Sequence, residues 1–445
     1  MNKKTFAKSA FFILLLVAGY FLTAAVFPKN LTRYPFFIIL VLMDLYLWTI
    51  VKAKVFTYNI HLKRIIAAIY WSPLMLLSGS IIVGYFLPSS RWLPEIRIYM
   101  NGFIFIFYVS KMIPAILLLL GDLVNLTAKL WIVTTRKSGK SRQNNNKVGM
   151  TRSRFLQNVA FVTGGLMLST MFAGMLKWVH DFRISRVSLR LQGLPLAFDG
   201  FKIIQISDLH LGSWSSISQL EEAVELINAE SPDLIVFTGD LVNYSTDEAF
   251  RFKETLSQLQ AGKGVYAILG NHDYGDYMNW PSPDAKKKNM QDLHDFYYQL
   301  GWKLLKNSHD TITIDGESIG LIGVENWSSN KRFPRLGNVE KASKGLGPVP
   351  VKILLSHDPS HFETIEEKHT DIQLTLSGHT HGFQFGIEIP GIKWSPAQYM
   401  YKKWAGLYES NQNNQYLYVN RGLGSIGYPG RIGILPEITV INLFA

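Results

Sequence analysis

Along the 445-residue chain the hydrophobic positions fall into two regimes. Up to about residue 180 they gather into five blocks, 10–27, 34–51, 65–87, 100–121 and 158–176, separated by short basic segments. Each block is about the roughly 17–25 residues an apolar helix needs to cross a bilayer, so 1–182 reads as a five-helix transmembrane region. A cleavable signal sequence would leave one such block. From 183 the apolar runs shorten, grow rich in β-branched residues and alternate with amphipathic stretches, the pattern of an α/β domain over 183–445. Strands are expected at 187–191, 202–207, 234–238, 265–269, 311–314, 319–324, 351–356, 372–376, 416–420 and 437–443. Helices are expected at 217–229, with Ser218 as cap, and at 246–260.

Charge changes how the first regime is read. The net charge is +12, yet residues 1–185 hold 22 of the 45 basic side chains and 4 of the 33 acidic ones, leaving 23 and 29 to the remainder. The basic excess therefore flanks the membrane blocks. The mildly acidic second half carries no basic stripe, which argues against nucleic acid as a partner. With no cysteine, disulfides and thiolate ligands are excluded. Loops rich in Lys and Arg alternate with poor ones, so the positive-inside rule puts the N-terminus and the second and fourth loops in the cytoplasm and the C-terminal domain outside it. Lys177, Arg183, Arg186 and Arg190 beyond the fifth block pull the other way. Thr151 to Gln157 resembles a twin-arginine export signal with Ser153 at the second arginine, and reads equally as flanking charge. Residues 138–150 read as a flexible polar loop. Asp44 and Lys111 fall near mid-span, where an ionisable group needs a partner. An interhelical pair is expected rather than a proton relay, because no other charges line a path.

Polar residues recur where the soluble strands end. Asp208 and His210 leave the 202–207 strand, and residues two apart in an extended segment point the same way. Gly239-Asp240 closes the next strand, Gly270-Asn271-His272-Asp273 the one after, then His357, then Gly378-His379-Thr380-His381. Strand C-termini along one edge of an α/β sheet are where such folds place sites. Carboxylate, imidazole and amide ligands without thiolate suit manganese, iron or zinc. His294, His309, His361 and His369 lack this context, and no activated serine or cysteine motif is evident.

The ordered set D-x-H, G-D, G-N-H-D, H and G-H-x-H resembles the calcineurin-like metallophosphoesterase family over about 186–445. Leu194-Pro195-Leu196 through Asp199-Gly200 and Val419-Asn420-Arg421-Gly422-Leu423-Gly424 are similar to its membrane-anchored bacterial branch. That resemblance implies two mixed β-sheets sandwiched between helices and two divalent metal ions. One ion would take Asp208, His210, Asp240 and His381, the other Asp240, Asn271, His357 and His379, with Asp240 bridging. It implies hydrolysis of a phosphate ester by a metal-bridging hydroxide, with His272 protonating the leaving group or stabilising the phosphoryl oxygens and Asp273 orienting its ring. It also implies residence in the bacterial inner (plasma) membrane. Asn243 departs from the family's G-D-x-x-D, and Tyr244 stands where protein phosphatases carry arginine, which argues against a phosphoprotein substrate.

Residues 274–296 and 325–346 are expected as lids, with Tyr274, Tyr277, Trp280, Trp327, Arg332 and Arg335 among their aromatic and basic side chains. Asn326, Arg421 and Arg431 are candidate substrate contacts. The expected partners are membrane lipid and a small-molecule or lipid-linked phosphate ester. A narrower reading is a UDP-2,3-diacylglucosamine pyrophosphohydrolase-like enzyme. A reading of another class is a non-catalytic membrane sensor or transporter with a degenerate phosphoesterase domain.

Overall fold

The computed structural model describes residues 3–87, 92–135, 152–410 and 414–445 and divides into two units, Met1–Thr170 and Met171–Ala445. The polar loop expected at 138–150, and Thr151 of the twin-arginine-like stretch, lie outside the described residues.

The first unit is built from α1 (Lys3–Val26), α2 (Tyr34–Val55), α3 (Ile60–Phe86), α4 (Pro94–Thr135) and α5 (Arg152–Leu176), the last of which runs on into the second unit. Among the described residues four stretches are long and apolar enough to cross a membrane: Asn30–Val55, Ile60–Phe86, Pro94–Ala128 and Arg154–His180. Five were expected. The remaining block, 10–27, lies on α1, a single helix whose described apolar stretch is Leu16–Val26.

The second unit opens with β1 (Arg183–Arg190), β2 (Lys202–Ile206), α6 (Ile217–Ala229), β3 (Leu234–Phe237), α7 (Lys253–Leu256) and β4 (Val265–Ala267). Next come α8 (Pro283–Gln299), β5 (Lys303–Leu304), β6 (Ser308–Ile314), β7 (Glu317–Gly323), α9 (Val339–Ser343), β8 (Lys352–Leu355), α10 (Phe362–Lys368) and β9 (Leu374–Ser377). The chain ends with β10 (Ile387–Ile389), β11 (Ile392–Trp394), β12 (Gly406–Glu409), β13 (Tyr416–Val419) and β14 (Glu437–Phe444). Two six-stranded mixed sheets result, ordered β1-β14-β2-β3-β4-β5 and β12-β13-β9-β8-β7-β6, with β10 and β11 forming a separate ribbon. Strands β2, β3 and β4 are parallel neighbours, as are β7, β8 and β9, so their C-terminal ends lie together within each sheet.

Strands β2, β3, β8 and β9 are buried on both faces; β3 and β8 read as nearly continuous apolar runs, while β2 and β9 also bury Gln205, Thr375 and Ser377. Ile203, Val236 and Ile441 of one sheet share a core with Leu321, Ile353 and Leu376 of the other. The outer face of the first sheet is covered by Leu220 and Val224 of α6 and Leu293 and Phe296 of α8. Ala342 of α9 and Phe362 and Ile365 at α10 cover the second. The expected sandwich of two mixed sheets between helices is what forms.

Three local expectations change. The cap of α6 is Ser216, whose hydroxyl accepts from the Ser218 N–H while Gln219 closes a capping box. The helix expected at 246–260 breaks into two single turns and the short α7, since Thr246 is tied by its N–H and hydroxyl to Asn289. Much of the lid expected at 274–296 is α8, which buries Leu293, Phe296 and Tyr297. Its Lys286-Lys287-Lys288 run hides an amphipathic helix with that apolar face.

In the first unit the Asp44–Lys111 pair forms at 2.7 Å, with Asp44 fully buried. Tyr108 donates to Asp44 Oδ2 at 3.0 Å and Lys111 also donates to the Tyr70 carbonyl at 3.0 Å. Removing one partner strands a charge in a nonpolar interior. Lys111→Met is expected to destabilise the helical unit by about 3–5 kcal/mol. Adding Asp44→Asn should cost less than the two single changes summed, as read by unfolding in mixed micelles.

Candidate functional site

Each residue of the candidate site follows a strand directly: Asp208 and His210 after β2, Asp240 after β3, Asn271 and His272 after β4, His357 after β8, His379 and His381 after β9. The turns that aim them are tight. Asp208, His210, Asp240, His379 and His381 all take left-handed backbone, with φ between 42° and 72°, which costs a non-glycine residue about 1–3 kcal/mol each. Glycines make room beside them. A Cβ on Gly270 would stand 2.2 Å from Asp240 Oδ1, and one on Gly378 would stand 2.3 Å from Asp208 Oδ2.

Six of the seven expected ligand residues fall into two groups. Asp208, His210 and His381 form one group able to hold an ion, and Asp240, His357 and His379 a second. Asp240 Oδ2 lies 3.6 Å from His210 Nε2 and 3.2 Å from His357 Nε2, so one carboxylate oxygen faces both groups. His381 Nε2 is 3.3 Å from Asp208 Oδ1, and His379 Nδ1 is 3.2 Å from His357 Nε2. Both ring nitrogens of His210, His381 Nε2 and Asn271 Oδ1 are buried without a hydrogen-bond partner. Buried polar atoms left unpaired are costly, and convergent nitrogen and oxygen donors of this kind suit a divalent cation. The donor set therefore fits two ions.

Electrostatics point the same way. Burial pushes the carboxyls of Asp208 and Asp240 up, but the imidazoles facing them, chiefly His381 and His357, outweigh it and hold both well below the usual carboxylate range. His357 is raised to about 10: burial opposes its charge, and the Asp240 and Asp208 carboxylates more than compensate. Burial pushes His210 down.

Backbone and neighbours fix the ligands. The Asp208 carboxylate accepts the His379 N–H at 3.0 Å, joining the β2 and β9 turns. His357 Nδ1 donates to the Thr238 carbonyl at 2.7 Å, which leaves Nε2 for the site. His272 Nδ1 donates to the Asn243 carbonyl at 2.8 Å, and its ring lies 4.2 Å from that of Tyr277. Asp273, expected to orient that ring, does something else. Its carboxylate accepts from the N–H groups of Gly270 and Leu241 at 2.8 Å and Asp240 at 2.9 Å, so it fastens the β3 turn to the β4 turn. Burial and the Asp240 charge push it up to about 7, against those backbone bonds. The Asn243 departure leaves the His272 contact intact, because that contact uses the main chain.

The expected substrate contacts each bond protein groups, while Asn326 Oδ1, Arg421 Nε and Arg431 Nε and Nη1 have no hydrogen-bond partner among the described residues. Arg421 donates to Glu437 Oε2 and Glu388 Oε1, each at 2.5 Å. Arg431 is fully buried and donates to the carbonyls of Arg421, Gly422 and Gly424, bracing the turn behind Asp208. Asn326 donates to the Pro334 carbonyl at 2.8 Å and its own N–H bonds the Tyr274 hydroxyl, which pins a loop. Two residues passed over by the sequence reading contact the site. Tyr401 OH lies 2.9 Å from His379 Nε2, and Asp358 Oδ2 lies 3.4 Å from it. Asp358 was signalled only by its place beside His357, and nothing near Tyr401 in the sequence marks it.

A family model for calcineurin-like phosphoesterases matches residues 201–383, and one for a probable calcineurin-like phosphoesterase transmembrane domain matches 29–178. The chain is 30% identical over 306 residues to the uncharacterized metallophosphoesterase YkuE of Bacillus subtilis, covering 66% of this chain and 98% of that one. It is 29% identical over 319 residues to a transmembrane protein with metallophosphoesterase domain from Danio rerio, covering 67% and 68%. It is 27% identical over 320 residues to the UDP-2,3-diacylglucosamine pyrophosphatase LpxG of Chlamydia trachomatis, covering 59% and 93%.

A carboxylate behind a ligating imidazole fixes its tautomer, and its loss typically weakens metal affinity or activity about 10–100-fold. Asp358→Asn is therefore expected to raise the Mn²⁺ concentration needed for half occupancy by about that factor, measured by metal titration of the purified chain.

Proposed function

Since the chain belongs to the calcineurin-like phosphoesterase family it is a metal-dependent phosphoester hydrolase, and we propose that it holds two divalent cations and cleaves an envelope or lipid-linked phosphate ester. The observation that carries this reading is Asp240 Oδ2 facing two ligand groups at once. Bound there, the pair would acidify a shared water and neutralise the phosphoryl oxygens.

The chain's own residues supply the rest. Asp208, His210, Asp240 and His381 would hold one cation, and Asp240, Asn271, His357 and His379 the other. His272, its Nδ1 fixed by the Asn243 carbonyl, turns Nε2 to the leaving oxygen and donates the proton that departure requires. Tyr277 and Phe333, whose rings lie 4.2 Å from His272 and 5.0 Å from His379, would wall the substrate. Arg332, exposed beside Phe333, is better placed than the buried Arg421 and Arg431 to meet a substrate's further charge.

The helical region supports a substrate in or near the membrane, and the alternation of basic loops supports a catalytic unit outside the cytoplasm. The likeness to LpxG supports a narrower alternative, hydrolysis of a UDP-diacylglucosamine pyrophosphate. A catalytic unit found on the cytoplasmic side by protease protection of sealed vesicles would favour that alternative.

Purified full-length protein loaded with Mn²⁺ is expected to hydrolyse bis-p-nitrophenyl phosphate or p-nitrophenyl phosphate, and Asp240→Asn to abolish turnover. Neither ester cleaved, with Asp240→Asn indistinguishable from the parent, would overturn the enzymatic reading. His272→Ala should lower kcat about 10²–10⁴-fold on an alkyl ester, with metal content unchanged. The loss should be smaller on p-nitrophenyl esters, whose leaving group departs without a proton.

A further inference from the structure

The β10–β11 ribbon separates apolar from charged residues onto two faces. Its register pairs Ile387 with Trp394, Glu388 with Lys393 and Ile389 with Ile392. Cross-strand partners share a face and successive residues alternate, so one face carries three isoleucines and a tryptophan and the other carries the two charges. The charged face makes the ribbon's polar contacts, with Glu388 and Lys393 themselves still partly exposed. Glu388 accepts from Arg421 at 2.5 Å, and Lys393 Nζ donates to the Ala405 carbonyl at 2.6 Å. The apolar face is turned out: Ile387, Ile389 and Ile392 are 49%, 54% and 53% exposed. Phe385, also partly exposed, meets Trp394 edge-on. Three exposed isoleucines gathered on one face of so short a ribbon form an apolar patch that calls for an apolar partner.

The root of the ribbon shows which partner. Gln384 and Gly386 exchange main-chain hydrogen bonds with Ile432, at 2.7 and 2.9 Å. The neighbouring Arg431 N–H bonds the carbonyl of Gly174, and Tyr428 donates to that of Met171. Residues 171–176 are the last turns of α5, which lies within one of the four stretches apolar enough to cross a bilayer. The ribbon is thus rooted one segment from a membrane-crossing helix.

We propose that the β10–β11 ribbon inserts its isoleucine face into the surface of the bilayer that α5 crosses. A second copy of the chain is a poorer occupant, since eight ribbon residues fall well short of the roughly 20–30 a side that a stable protein interface takes. The covalent tether through α5 keeps the ribbon at high effective concentration beside lipid, so a small apolar patch suffices. The inference holds whatever the ester is. It also bears on access, because the ribbon starts six residues after His381 and Tyr401, beyond it, reaches His379.

The chain has no cysteine, so Ile389→Cys in the full-length protein gives a single nitroxide-labelling position. In phosphatidylglycerol-containing liposomes, the label is expected to be accessible to oxygen and shielded from an aqueous nickel chelate, at a depth of about 5–10 Å. Ile392→Cys should report the same, while Tyr298→Cys on the exposed side of α8 should stay aqueous. Nickel accessibility at 389 and 392 equal to that at 298 would overturn the proposal. So would shielding from both reagents with dipolar broadening, which would mean a second copy. Unchanged hydrolysis of bis-p-nitrophenyl phosphate by each labelled protein shows that the fold is intact.

Discussion

Asp208 and Asp240 are buried within one cluster of imidazoles, and the C-terminal unit is organised around tolerating that. Two carboxylates taken out of water at this separation repel each other and lose their hydration. The imidazoles offset part of this: the two carboxylates raise His357 to about 10 against its burial, and the imidazoles hold both carboxyls low. Cations answer the same need more completely, since they satisfy the imidazole and amide atoms that no protein group reaches.

Holding those groups requires strained turns, and strain persists only where the surroundings over-determine it. The two sheets meet that condition. Apolar residues of both faces interlock through Ile203, Val236, Ile353 and Leu376. At the site end, polar bonds add register to that packing. Gln205 of β2 donates to the carbonyl of Ser377 in the other sheet at 2.8 Å, and Asn420, after β13, donates to Thr439 of β14 at 2.8 Å. Asp273 then ties the β3 and β4 turns, and Arg431 braces the 421–424 turn against Asp208. The candidate ligands stand on rigid elements, which is what a site of fixed geometry needs.

The sequence made the ligands legible because each belongs to a short signal at a strand end, where residue type and position both carry information. The central strands were legible because they are buried on both faces and therefore mostly apolar. What the sequence hid was set by partners distant along the chain. Asp273 and Arg421 are chemically suited to the roles first given them, and only Gly270, Leu241, Glu437 and Glu388 show how they are actually used. Tyr401 sits in an unremarkable aromatic run, and its contact with His379 arises from tertiary structure alone. The ribbon escaped notice because strands of three residues are too short for alternation to register.

The two units share one answer to an apolar surrounding. In the helical region the charges of Asp44 and Lys111 are turned inward and paired, while apolar side chains such as Phe36, Ile39 and Leu42 of α2 face out. On the β10–β11 ribbon Glu388 and Lys393 are likewise bonded to protein groups while the isoleucines face out. In water that distribution is unfavourable, because exposed apolar area is left uncompensated while ion pairs are desolvated. Against lipid the balance reverses, since charge is what must be hidden. Arg421 joins this arrangement to the site, because the guanidinium that receives Glu388 also holds Glu437 and stands in the turn whose Gly422 lies against Asp208 and His381. Ribbon and candidate metal ligands are therefore parts of one packed cluster, and whatever fixes the ribbon's orientation also fixes that of the turn behind the ligands.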